Sequence, residues 1–460
     1  MGRIWAIARQ TIAEGMRMRV AVVFIGAIVL LLVGLPISLR HENAVSDAVQ
    51  SFLSFSLGTL VFLLSLLTIF LSRSLSDELV HRQILTLMSK PIPRWQFVVG
   101  KWAGIVLLDC GLLALAGISV YAGTKAIAQL EPRDEVDKQR LEYEVLTSRH
   151  SVKWTMPDFR RAAEQIYQDN LESGVYAEAL GFVPALEKSR LLKEQAARWR
   201  TIDALDWREF HFQDVRCQRS EERQLQIRYK AEVWNYPPDE ILRVEWWVGN
   251  PDKGTPMYYV PRRDVIGRYH TINVPTNAVA SDRTLIVRLV NRNPFEGEAQ
   301  SPNTVNFLEN DDIEVLFQVG TFGGNLLRYL ILEMCKLMFL AAIAVLATCL
   351  FSFPVACLLC FTFLAMATMS GFLTDAAFFL EGEGPSGVFK KLVNMLYAIV
   401  FLLVPDFSAY SGLEQLVDGR NVTLRWVLSG LMNLVLVGTT AVMLLACLLF
   451  QRREVAEVSA

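Results

Sequence analysis

The sequence predicts a polytopic α-helical membrane protein, with six spans and a short re-entrant segment, carrying a large extracytoplasmic α+β domain that contains an antiparallel β-sandwich. Three observations predict it. Apolar residues make up 52% of the 460 positions. Six apolar runs approach the roughly 20 residues a bilayer-crossing helix needs. Between the third and fourth runs lies a long polar stretch whose periodicity changes from helical to alternating. The net charge of -2 offers no global basic field, so nucleic acid is not an expected partner.

Residues 1–19 read as an amphipathic cytoplasmic helix. The apolar runs fall at 20–38, 52–72, 102–124, 329–351, 355–378 and 426–450, placing spans one to three in 20–124 and spans four to six in 326–450. The first run is too long for a cleaved leader and lacks a small-residue cleavage site. Arg3, Arg9, Arg17 and Arg19 precede it, Arg73, Arg82, Lys90, Arg94 and Lys101 occupy the hairpin 73–101, and Arg452 and Arg453 open the tail 451–460. By the positive-inside rule both termini and this hairpin are expected to face the cytoplasm. A seventh run, 392–404, is short for a crossing, and the segment 388–410 is expected to re-enter from the outer face.

The same parity puts residues 125–325 outside the cytoplasm. The part 131–212 reads as helical from "EVDKQRLEYEVL", "MPDFRRAAEQIYQDNLESG" and "PALEKSRLLKEQAARWR". The part 213–320 reads as a sandwich. In "QLQIRYKAEVW", Leu225, Ile227, Tyr229, Ala231 and Val233 alternate with Arg228, Lys230 and Glu232, and "RVEWWVGNP", "YHTINVP", "TLIVRLVNRNP" and "DIEVLFQVG" continue the pattern. Trp207, Trp234, Trp246, Trp247, Tyr258 and Tyr259 are expected mainly in its core, with Trp246 and Trp247 on opposite faces. Six of the seven cysteines lie in apolar runs, and the C-x-x-C pair Cys357 and Cys360 has no further ligands near it, so no metal site is expected. Asp109, Glu333 and Lys336 sit in or near spans. A charge there is costly, so they mark either a substrate path or gate, or a structural pair near the headgroups, with Glu333 and Lys336 toward the outer end of the fourth span.

The hairpin "DELVHRQILTLMSKPIPRWQFVVGKWAG" resembles the loop between the second and third spans of ABC-2 type permeases, the membrane subunits of a class of ABC transporters. Glu78, the helix through Met88, the Ser89-Lys90-Pro91 turn and Gly100-Lys101 follow the family's order. "IWAIARQTIAEGMRMRVAVVFIG" is similar to that family's N-terminal helix, and "LLACLLFQRREV" to its last span and basic tail. The outer domain is larger than the family core carries at that position. The resemblance implies that Asp77, Glu78, His81, Arg82, Thr86, Ser89, Lys90, Pro91, Arg94 and Lys101 couple the chain to a separate ATPase subunit. It also implies a second permease copy or related permease, and a role in export or mechanotransmission such as multicopper enzyme maturation, gliding or sodium export. The chain has no phosphate-loop motif, so it is not expected to be an enzyme. It needs no cofactor of its own, ATP and Mg belonging to the partner. Bilayer lipid and an extracytoplasmic protein complete the expected partners. The other reading is a membrane-anchored binding or sensor protein whose outer domain does the work.

Overall fold

The structure, a computed structural model, describes residues 2–38, 44–80, 93–174, 184–221, 223–237, 240–293, 303–308, 312–370 and 405–452. The chain forms two compact units, Met1–Ser148 with Gly320–Ala460, and Arg149–Val319.

The first unit is helical. It opens with α1 (Gly2–Arg17), α2 (Arg19–Ser38), α3 (Val45–Leu71), α4 (Arg73–Val80), α5 (Arg94–Ile127) and the short α6 (Glu135–Arg140). Helices α7 (Arg160–Glu172) and α8 (Pro184–Arg200) belong to the second unit. The first resumes with α9 (Phe322–Leu350), α10 (Phe353–Thr368), the one-turn α11 (Leu413–Val417) and α12 (Leu424–Arg452). Among the described residues, four helices are long and apolar enough to cross a membrane: Val45–Glu78, Arg94–Ile127, Phe322–Leu350 and Leu424–Arg452. The first apolar run coincides with α2, of 20 residues; α10, of 16, covers the fifth run only to Thr368, and the run's positions from 371 lie outside the described residues. Most of the expected re-entrant segment 388–410 lies outside the described residues; from 405 the chain forms a loop with a tight turn at Ser408–Tyr410.

Two of these helices begin seven residues before their apolar runs, at Val45 rather than 52 and at Phe322 rather than 329. Their ends are set by caps that hydropathy does not see. Thr321 Oγ1 accepts from Gly324 N at the start of α9. At the start of α3 the cap comes from a residue distant in sequence: the Asp137 carboxylate accepts from Val45 N at 2.9 Å, Ser46 N at 3.0 Å and Arg133 N at 3.1 Å. It thereby satisfies amides that a helix leaves unpaired and places negative charge at the positive end of the helix dipole. Gly419, at φ +63°, closes a comparable contact, since a Cβ there would lie 1.8 Å from the Glu144 carbonyl oxygen.

The second unit holds β1 (Thr147–Lys153), β2 (Thr201–Ile202), β3 (Trp207–Phe212), β4 (Gln224–Lys230), β5 (Glu232–Val233), β6 (Ile241–Val248), β7 (Tyr258–Val265), β8 (Tyr269–Pro275), β9 (Leu285–Asn291), β10 (Val305–Asn306) and β11 (Ile313–Thr321). They form a sheet β1-β11-β4-β8, a sheet β3-β9-β6-β7 and a small sheet β2-β10-β5. One hydrophobic core takes residues from both larger sheets, including Ile227, Tyr229 and Ile272 from one and Phe210, Trp246 and Leu289 from the other. The tryptophan pair divides as alternation requires. Trp246 is fully buried with its ring 4.5 Å from Tyr229, while Trp247 lies on the other face, 4.7 Å from Tyr259. Trp207 and Trp234 are exposed rather than core, Trp234 by 78%.

The expected helical part, 131–212, differs from the structure in one respect. Its three helical stretches form, but β1, β2 and β3 are interleaved with them. β1 has the polar sequence TSRHSVK and no clear apolar alternation, so it is a strand only because the edge of β11 pairs with it. The unit boundaries also move inward from 125–325, because residues through Ser148 and from Gly320 pack with the helical unit.

Replacing Asp137 tests the capping account. Burial raises its pKa, but the hydrogen bonds it accepts outweigh that and hold the carboxyl below its ordinary value of 3.8. A carboxyl with a depressed folded pKa adds stability that is present above the unfolded value and lost as pH falls through the folded one. Asp137→Ala should therefore cost about 1–2 kcal/mol at neutral pH, and the deficit should shrink below pH 3.8 in thermal unfolding of the solubilised protein. A deficit that is independent of pH contradicts the capping role.

Candidate functional site

The hairpin that the sequence singles out rests on a buried charge. Lys101, one residue past Gly100 in α5, is only 1% exposed. Its Nζ donates to Glu78 Oε1 at 2.8 Å, Ser74 Oγ at 2.8 Å and Glu14 Oε2 at 3.0 Å. Three donors meet three acceptors, one from α1 and two from α4, so the ammonium is satisfied without water. Ser74 Oγ donates in turn to Glu14 Oε2, and Gln10 Nε2 donates to Glu14 Oε1 at 2.8 Å. Burial raises the pKa of Glu14, but the Ser74 hydrogen bond and the Lys101 charge outweigh it and keep the carboxyl ionised below its usual range. Phe97, one turn before Lys101, stacks on Phe450 of α12 with ring centroids 6.0 Å apart.

The glycine beside Lys101 has an equally specific role. Helix α1 turns its buried face, Ile7, Ala8, Thr11 and Gly15, onto α5. A Cβ at Gly100 would lie 2.8 Å from the Ile7 side chain, and one at Gly104 would lie 2.6 Å from Thr11 Cβ and 2.8 Å from the Ala8 carbonyl oxygen. This Gly-x-x-x-Gly notch lets the two backbones approach as small-residue pairs do between membrane helices. Gly100-Lys101 therefore works as a unit: the glycine admits α1 and the lysine fastens it.

Of the residues expected to couple, the structure brings Glu78 and Lys101 together. Asp77 makes an exposed pair with Arg73 at 3.2 Å. Arg94 Nη1 donates to the Gln451 carbonyl at 3.0 Å, tying the start of α5 to the end of α12. His81, Arg82, Thr86, Ser89, Lys90 and Pro91 lie outside the described residues. The Glu78 carboxylate reaches across to Lys101, whereas Arg82, four residues on, is not among the described residues. Glu14, Ser74 and Gln10 were missed. One signal was available, because Glu14 is the sole acidic residue among the first 41.

The polar residues expected in or near spans separate into two places. Asp109 is fully buried in α5 and accepts from Thr68 Oγ1 of α3 at 2.8 Å. Glu333 and Lys336 pair at 2.9 Å on α9. Lys336 is the midpoint of the 29-residue helix Phe322–Leu350, so the pair lies at the middle of that helix. The difference from the expected place toward one end follows from the early start of α9. Glu333 and Lys336 face a cavity of about 670 Å³ bounded by α3, α9, α10 and the loop before α11. Asn421 accepts from Ser148 Oγ at 3.0 Å and Arg328 Nη1 at 2.7 Å. Among the described residues no group of three or more His, Cys, Asp or Glu could hold a metal ion. Comparison with protein-family models, with curated proteins and with solved structures found no match.

Removing one partner of a buried ion pair strands the other and costs roughly 3–5 kcal/mol, whereas replacing both by apolar groups can be nearly neutral. Lys101→Met should show a loss of that size in denaturant unfolding of the solubilised protein, and Lys101→Met with Glu78→Leu should recover part of it. A double variant whose loss equals the sum of the single losses would mean that the two side chains are not coupled.

Proposed function

We propose that this chain is the membrane permease subunit of an ABC transporter, an exporter or mechanotransmission complex of a bacterial inner membrane, driven by a separate ATPase through the hairpin 73–101. In this reading the helices form six spans and a re-entrant segment with both termini cytoplasmic, the strand-rich unit is an extracytoplasmic sandwich, and a second permease copy completes the complex. The observation that carries the proposal is the Lys101 cluster. A docking element transmits motion only if it is rigid with respect to the spans behind it. Here both arms of the hairpin and the N-terminal helix are fastened at one buried ammonium. ATP and Mg bind the partner, and this chain contributes the lever.

A second reading, the anchored binding or sensor protein, draws on one feature of the strand-rich unit. A cavity of about 720 Å³ is lined by Arg200, Trp234, Asn306 and Leu308, a concave mixture of aromatic and polar groups suited to a ligand.

Affinity isolation of the full chain from its native membranes discriminates between them. The permease reading expects an ATPase subunit to copurify. It also expects Arg82→Glu, and a proline at Leu85 that breaks a helix at a cost of ~3 kcal/mol, to reduce that subunit at unchanged membrane levels. Lys253→Glu, which removes exposed contacts with Asp282 and Thr284, should leave it unchanged. Full ATPase recovery with both hairpin variants would favour the anchored-protein reading.

A further inference from the structure

We infer that the cavity between α3, α9 and α10 binds a single-tailed amphiphile whose head group carries both a hydrogen-bond donor and an acceptor and has no net charge. The inference concerns binding alone and stands whether or not an ATPase drives the chain. The site is built rather than incidental. Phe62 of α3, Leu340 of α9, and Phe361 and Leu364 of α10 give it apolar walls, while Glu333 and Lys336 supply a polar end at the middle of α9. Glu333 is 2% exposed, and its Oε1 accepts from Lys336. Its Oε2 is buried and no donor meets it with hydrogen-bond geometry, although the Tyr329 hydroxyl, on the same cavity wall, interacts with this carboxylate.

A buried carboxylate oxygen without a donor is costly, and a ligand that supplies the donor recovers that cost. Lys336 spends one of its three N–H groups on Glu333 and can offer another to a ligand acceptor. The pair sums to zero charge. A head group with net charge would bring an uncompensated charge to the centre of a membrane helix, which is disfavoured, whereas a neutral hydroxylated head adds none. The tail follows from the walls and the size. A volume of about 670 Å³ falls within the roughly 300–1,000 Å³ of pockets that hold one drug-sized molecule, which suits one alkyl chain with its head. Among the described residues, Phe62 and Met369 line the cavity and are both more than half exposed on the helical unit.

The test uses the purified full chain in detergent, without ATPase, and a diazirine-bearing monoacylglycerol as photoprobe. The expected result is labelling of peptides covering residues 58–66, 329–340 or 361–369, competed by monooleoylglycerol at least tenfold better than by oleate or oleylamine. Gly58→Leu adds bulk to the wall, where the nearest neighbour of a new Cβ is Leu413 at 3.6 Å, and should abolish that labelling while leaving the unfolding midpoint unchanged. Glu333→Gln with Lys336→Met removes both charges together and should weaken competition by monooleoylglycerol about tenfold. Equal competition by all three head groups, labelling that survives Gly58→Leu, or labelling confined to other helices would overturn the inference.

Discussion

The membrane unit depends on the placement of one ammonium in a dry site. Taking Lys101 out of water costs several kcal/mol, and that cost is recovered only if every N–H finds an acceptor with good geometry. The acceptors come from two other helical segments, so Lys101 can be satisfied only when α1, α4 and α5 are all in place. Such an arrangement is poor at adding stability and good at specifying one geometry. The glycine notch makes that geometry reachable by bringing α1 close enough for Glu14 to meet the lysine.

Helix α3 links this cluster to the cavity. It contributes Gly58 and Ser65 to the cavity wall, holds Asp109 through Thr68, and passes after Ser72 into α4 with Ser74 and Glu78. At 1.5 Å per residue, Ser65 and Glu78 are roughly 20 Å apart along one nearly continuous helix. Under the permease reading, a displacement of the hairpin reaches the cavity as a movement of one wall rather than through a chain of soft contacts. Alternating access by rigid elements needs that kind of connection.

What could be read from the sequence was whatever depends on local periodicity. The strands β4, β6, β8, β9 and β11 lie where alternation placed them, and helices α6, α7 and α8 lie where helix formers placed them. What could not be read depends on partners distant in sequence. β7 carries Pro261 and the run Arg262-Arg263-Asp264, which discourage a strand assignment, yet it forms the edge of its sheet, where a missing amide donor is tolerated. The start of α3 depends on Asp137 and the partner of Glu78 on Lys101, contacts 92 and 23 residues away. For the site, Gly100-Lys101 was recognisable as a motif. Its chemistry was not, because nothing in a glycine-lysine pair names the helix that will lie against it.

The central claim is that Lys101 holds α1 and α4 against α5, and amide hydrogen exchange on the full chain in nanodiscs tests it most directly. In Lys101→Met, the amides of α1 between Ile7 and Glu14 and those of α4 should lose protection together, while α9, which packs on α5 through Trp102 and the Met338 carbonyl, keeps its own. Unchanged protection of α1 in that variant would contradict the account, because α1 would then be held by the glycine notch alone and the buried ammonium would fasten nothing.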